Sequence, residues 1–182
     1  MSKQRERIDA ELGRWILEQR VFFVATALSR DGYVNTSPKG GDAFRILGPM
    51  EVAYQDYTVS GAETATHLRE NGRIVVMFCA FEGAPKIVRL HGRGTVITPS
   101  DLKFTELAPL FPANPGTRAF VHVAVDRVSD SCGYSVPFYD FRGRRDTLDR
   151  WASNQGAEKL NAYRTAKNKG SINGLPSFDP TR

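Results

Sequence analysis

The sequence predicts a mostly β fold, a small antiparallel barrel with short helices packed over its openings. Three observations carry that prediction. Residues 21–28 (VFFVATAL) and 73–81 (RIVVMFCAF) are continuously apolar, β-branched and aromatic, as strands buried on both faces or inside a barrel are. Residues 119–128 alternate, with Phe120, His122, Ala124, Asp126 and Val128 on one side and Ala119, Val121, Val123, Val125 and Arg127 on the other. Between the first run and the polar segment after it stands Asp31-Gly32, the strongest short hairpin signal.

In chain order, residues 5–19 place Ile8, Leu12, Trp15 and Ile16 on one helical stripe. The strand over 21–28 turns at residues 29–32 and returns over 33–39. Residues 43–47 and 51–54 read as a third strand, broken or turned at Gly48-Pro49. A polar loop over 55–61 leads to a short helix over 63–71, closed by Gly72 as a left-handed cap. The strand over 73–81 is followed by a long one over 86–97, where Gly92 and Gly94 mark bends. Ser100 is the expected N-cap of a helix over 102–110. After the alternating strand, a further strand is predicted over 133–139, then two helical pieces from residue 146 and a polar tail over 167–182.

The chain has 182 residues, 41% hydrophobic and 25% charged, enough for one globular domain. Its net charge of +5 suits an anionic small molecule or nucleic acid, but the basic residues are dispersed, as surface solvation requires. Cys79 and Cys132 belong to no CxxC or His/Cys cluster, which argues against a zinc site. Cys132 has no identifiable base partner, so a buried thiol is expected rather than a nucleophile. No run approaches the length of a membrane span, and the charged start lacks the apolar core of a secretory signal. The expectation is a cytoplasmic protein with neither nucleic acid nor membrane as a partner. P-loop, GxGxxG, GxSxG and HExxH motifs are absent.

Residues 35–42 (NTSPKGGD) put hydroxyls, one lysine and paired glycines on the hairpin's second strand, chemistry suited to a phosphate-bearing ligand. A polar edge strand ending in a Gly-Gly bulge has the same composition. Arg89, His91 and Arg93 form a cationic stripe, costly inside a barrel without an anion and ordinary on its wet side. His67 and His122 read as polar contacts. Arg142, Arg144, Arg145 and Arg150 beside Trp151 have the basic-aromatic mix of a nucleic-acid surface, and a solvated turn explains them more simply.

Taken together, the opening helix, FFVATALSRDGYVNTSPKGGD, VAYQDYTVSGAETATHLRENGRIVVMFCAF and KIVRLHGRGTVI resemble the pyridoxamine phosphate oxidase-like family of FMN-binding split barrels, in its oxidase-related branch. The likeness covers residues 21–97. It implies a six- to seven-stranded antiparallel split β-barrel over residues 1–140, with residues 141–182 as a helical extension of the same domain. It also implies a homodimer with FMN in two symmetric interface clefts. By resemblance, Lys39 contacts the FMN phosphate, with Ser37 and Gly40 beside it. Tyr54, Gln55 and Asp56 line the ribityl chain or ring, and Thr64 and Arg89 are secondary contacts. The oxidase's Ser-Arg-Lys at the next helix start falls on Ala62, Glu63 and Thr64, and its Arg-Gln-Val on Lys86, Ile87 and Val88. Two cations are thus replaced, and no catalytic acid or base is identified. The implied function is an FMN-dependent oxidoreductase acting on a small substrate. Alternatives on the same barrel are a protein of the deazaflavin F420, a haem protein using His67, His91 or His122, and a non-enzymatic flavin-binding or regulatory module.

Overall fold

A computed structural model describes residues 3–178. Eight strands pair only antiparallel: β1 (Lys3–Arg5), β2 (Val21–Thr26), β3 (Asn35–Gly40), β4 (Phe44–Gly48), β5 (Glu51–Tyr57), β6 (Arg73–Cys79), β7 (Ile87–Ile97) and β8 (Thr117–Ser131). The helices are α1 (Ala10–Glu18), α2 (Glu63–Asn71), α3 (Leu102–Leu107) and α4 (Thr147–Lys167), with one 3-10 turn at Ala108–Leu110. Seven strands follow one hydrogen-bonded path, β3-β2-β6-β7-β8-β5-β4, and β1 adds to β8. The result is a curled antiparallel sheet of the split-barrel type, with β3 and β4 as its two edges.

The alternation of each strand sorts its side chains onto two faces. The concave face holds the main core, in which Phe22 and Val24 of β2, Tyr54 of β5, Val76 and Phe78 of β6, Leu90 of β7 and Val121 and Val123 of β8 are almost fully buried. On the convex face a second cluster, Ala53, Ile97 and Phe120, is covered by Leu107 and Phe111 from the α3 region. Helix α1 buries Leu12, Gly13 and Ile16 and is capped by Asp9, whose carboxylate accepts the Leu12 N–H at 2.8 Å. The helix starts later than predicted: Arg5 belongs to β1, opposite Val128 with its guanidinium paired to Asp130 at 2.8 Å, and residues 6–9 link β1 to α1.

Two irregularities in β8 break the period read from the sequence. Opposite β7 the register shifts between His91 and Gly92, so Val125 and Val128 both reach the concave core. A Cβ on Gly92 would lie 2.1 Å from the Ala124 carbonyl oxygen, and only glycine allows that approach. Opposite β5 a second shift lies between Asp56 and Tyr57, with Asp56 facing Ala119 and Tyr57 facing Thr117. Arg118 is the extra residue there.

Other differences from the sequence reading have local causes. The broken third strand is a hairpin of two strands, β4 and β5, and β5 continues through Gln55 and Asp56, whose backbones pair with β8. The expected tight hairpin at Asp31-Gly32 is instead an eight-residue loop: β2 ends at Thr26 and β3 begins opposite it at Asn35, and Asp31 and Gly32, at φ 41° and 95°, bend the chain within residues 27–34. Asp101 rather than Ser100 caps α3. Residues 133–139 form no strand, Cys132 is exposed, and Cys79 is the buried thiol. The two helical pieces after residue 146 are the halves of α4, kinked at Gly156, whose φ is 73°. Residues 179–182 of the polar tail lie outside the described part.

Candidate functional site

Strand β3 alternates half-buried Asn35, Ser37 and Lys39 with exposed Thr36, Pro38 and Gly40. Ser37 and Lys39 stand opposite Val24 and Phe22 in the register, so the polar row lines the edge of the concave core. Asn35 donates through its side-chain amide to Thr64 Oγ1 at 3.0 Å, and Ser37 Oγ donates to Asn35 Oδ1 at 3.4 Å. Ser37, Lys39 and Thr64 are thereby brought onto one side of the barrel, with Gly40 on the solvent side of the same strand.

Lys39 does not stand alone. Its ammonium lies 3.0 Å from Asp56 Oδ1, while Arg118 Nε lies 2.7 Å from Asp56 Oδ2. Asp56 and Arg118 are each 6% exposed in their side chains, and Lys39 is 17% exposed. Burial by itself would raise the Asp56 carboxyl; Lys39 and Arg118 together reverse this and hold it below its ordinary value. Two cations against one carboxylate leave a net charge of +1, with Lys39 on the open side. Tyr54 offers its ring face 5.9 Å from the Lys39 ammonium. Its hydroxyl is buried without a hydrogen-bond partner among the described residues, and burial followed by the Asp56 charge raises its pKa well above the ordinary tyrosine value.

The N-terminus of α2 has the opposite character. Ala62 begins the helix without a side-chain cap of its own. Glu63 turns back instead: Oε2 accepts the Ala62 N–H at 3.0 Å and Oε1 accepts the Ile172 N–H at 3.1 Å. Residues 168–178, after α4, lie across this end. Asn168 Nδ2 donates to the Val59 carbonyl at 2.8 Å, Ser177 Oγ donates to the Ala62 carbonyl at 3.0 Å, and Phe178 packs its ring 4.6 Å from the Arg118 guanidinium. A carboxylate and a strap of backbone therefore occupy the helix end where an anion would otherwise be favoured.

These residues fit a phosphate-bearing cofactor at one end only. The β3 row supplies a cation, a hydroxyl and a net positive cluster, whereas α2 supplies a carboxylate. Among the described residues no group of three or more His, Cys, Asp or Glu is placed to hold a metal ion.

Two of the expected contacts are held elsewhere. Gln55 points to the convex face, where its amide donates to Thr117 Oγ1 at 2.6 Å and the Pro112 carbonyl at 3.1 Å, and its oxygen accepts the Tyr57 hydroxyl at 2.9 Å. Arg89 lies on the outer face of β7, opposite Met77 and Ser129, and donates to Ser131 Oγ at 3.1 Å. The Arg89, His91 and Arg93 stripe is thus on the wet side of the sheet. Of the histidines, His67 is fully buried with Nδ1 bonded to Thr26 Oγ1 at 3.0 Å, and His122 is paired with Glu51. The residue that sequence reading missed is Arg118. Strict alternation assigns it to the Phe120 and His122 face; the bulge opposite Asp56 turns it inward.

A family model described as pyridoxamine 5'-phosphate oxidase matches residues 8–132. The chain is 36% identical over 192 aligned positions to the pyridoxamine 5'-phosphate oxidase family protein ustO of Aspergillus flavus, covering 95% of this chain and 76% of that protein. Among solved structures, a variant of HupZ from Group A Streptococcus superposes with a TM-score of 0.54 at 21% identity, covering 68% of this chain and 99% of the other. An FAD-binding protein from Mesorhizobium loti gives 0.50 at 15% identity, covering 71% and 96%. The two structures share the fold, and the family model and the fungal relative carry the kinship: the chain belongs to the pyridoxamine 5'-phosphate oxidase family.

Proposed function

We propose that this protein is a cytoplasmic flavoprotein that binds FMN with its phosphate at Lys39 and Ser37, and that it acts as a homodimeric oxidoreductase on a small organic substrate. The observation that carries the reading is the Lys39–Asp56–Arg118 cluster, net positive and open at Lys39, on a fold that an FAD-binding protein shares. A bound flavin supplies hydride or electron transfer. The chain's own part is to bind and orient it.

Lys39 gives the phosphate a charge-assisted contact, and the Ser37 hydroxyl adds a donor once it turns from Asn35. Asp56 fixes the lysine head in place, and Arg118 offsets the carboxylate so that the anion meets a positive surface. Thr64 and the Tyr54 ring border the same row. Because Glu63 closes α2 to a second anchor, phosphate recognition rests on β3 alone.

The absorption spectrum tests this directly. Protein mixed with FMN and then desalted is expected to keep the flavin bands and turn yellow, and Lys39→Glu and Lys39→Met are expected to lose them. A protein that emerges colourless overturns the reading. Light scattering is expected to give about twice the 20.2 kDa chain mass.

A further inference from the structure

A second cleft, of about 950 Å³, lies between the end of α1, the β6–β7 hairpin and residues 139–143; Lys39 is not among its lining residues, and Val21 in its wall pairs with Gly40 at the end of β3. That volume is within the ~300–1,000 Å³ of small-molecule sites. Its half-buried wall is Trp15, Gln19, Val21, Phe81 and Lys86, and Tyr139 and Phe141 face it from the exposed segment. The segment is tied down: the Tyr139 N–H donates to the Phe81 carbonyl at 3.0 Å, the two rings lie 5.4 Å apart, and the Arg20 guanidinium lies 5.0 Å from the Phe141 ring.

The charges sort by depth. Glu18, Arg20, Glu82, Asp140 and Arg142 are all exposed on the rim, where water screens them. The half-buried wall carries one charge, Lys86, whose ammonium rests 4.7 Å from the Trp15 ring. Its partner is an aromatic face; among the described residues no carboxylate lies within 4.0 Å of it, and Asp9, exposed outside the cleft, feels its charge only at longer range. An apolar, ring-lined slot with a single cation at depth favours a flat apolar body bearing one negative charge.

We propose that this cleft binds a planar aromatic monoanion, its ring between Trp15, Phe81 and Tyr139 and its anionic group on Lys86. The proposal does not depend on flavin binding at Lys39, which lies outside the cleft.

The probes are 2-naphthoate, 2-naphthalenemethanol and 2-naphthylmethylamine, which share a ring system and differ in charge. The readout is the indole N–H resonance of Trp15 in the full chain, with Trp151 as an internal control. Naphthoate is expected to shift Trp15 saturably and leave Trp151 in place. It should bind at least about tenfold more tightly than the alcohol or the amine, a preference lost in Lys86→Gln and kept in Lys86→Arg. Lys39→Met is expected to leave naphthoate binding unchanged while abolishing FMN retention, so the two sites fail separately. FMN that displaces naphthoate supports the cleft and moves the flavin site into it. No saturable shift of Trp15, equal affinity for the three probes, or an unchanged preference in Lys86→Gln overturns the proposal.

Discussion

The β3–β5 end of the site and the N-terminus of α2 are both places where a barrel of this kind can meet an anion, and they have been resolved in opposite ways. At β3–β5 a buried carboxylate is outnumbered by two cations, so the surface remains positive. At α2 the Glu63 carboxylate stands at the helix end, accepts the Ala62 and Ile172 N–H groups, and is covered by the strap after α4. Position in the fold therefore does not decide which end receives an anion. What decides it is whether the chain has already supplied one.

The largest effect should come from Asp56. Asp56→Ala leaves Lys39 and Arg118 unpaired at a buried position and is expected to cost about 3 to 5 kcal/mol in urea unfolding at neutral pH. A loss below about 1 kcal/mol would show that the cluster is better hydrated than its burial suggests. The same substitution gives a pH signature. The Asp56 carboxyl is depressed below 3.8 in the folded state, so its contribution is fully present above that value and is lost as pH falls through the lower, folded value. The gap between wild type and Asp56→Ala should accordingly narrow on acidification below about pH 4. A gap that widens there contradicts the assignment.

Next in size is the α2 end. Glu63→Ala strips the acceptor from the Ala62 and Ile172 N–H groups and is expected to destabilise by about 1 to 2 kcal/mol. It should also strengthen binding of inorganic phosphate, measured by calorimetry, if the glutamate is what closes that end. The smallest effect is expected at Phe178, whose ring stacks on Arg118. Phe178→Ala should cost about 1 kcal/mol and leave the acid limb of the stability profile in place, since the ion pairs remain.

Much of the scaffold was legible in the sequence because β2 and β6 are apolar runs, β8 alternates over residues 119–125, and glycines mark the bends of β7. The polar segment on β3 was legible from its composition, hydroxyls and one lysine on a hairpin's second strand, while which of them face inward, Asn35, Ser37 and Lys39, is set by the register with β2. Arg118 was hidden by the same rule. Alternation holds along β8 until a bulge, and a bulge is set by how β5 and β8 register across the sheet, which no local pattern encodes. Gln55 shows the converse. It lies between two site residues in sequence, and the pleat sends it to the other face. The role of Glu63 was half visible: a carboxylate at a helix start was evident, but its second partner, Ile172, is 109 residues away and comes from the C-terminal strap. The missing strand over 133–139 reflects composition without a partner strand, since the C-terminal end of β8 is already flanked by β1 and β7.

The central claim is that Lys39, and not the α2 end, reads the phosphate. The most direct measurement is the ratio of FMN to riboflavin affinity, taken from flavin fluorescence, in wild type, Lys39→Met and Thr64→Val. The account predicts a clear FMN preference in wild type and in Thr64→Val, and its disappearance in Lys39→Met. A preference that survives in Lys39→Met would contradict it.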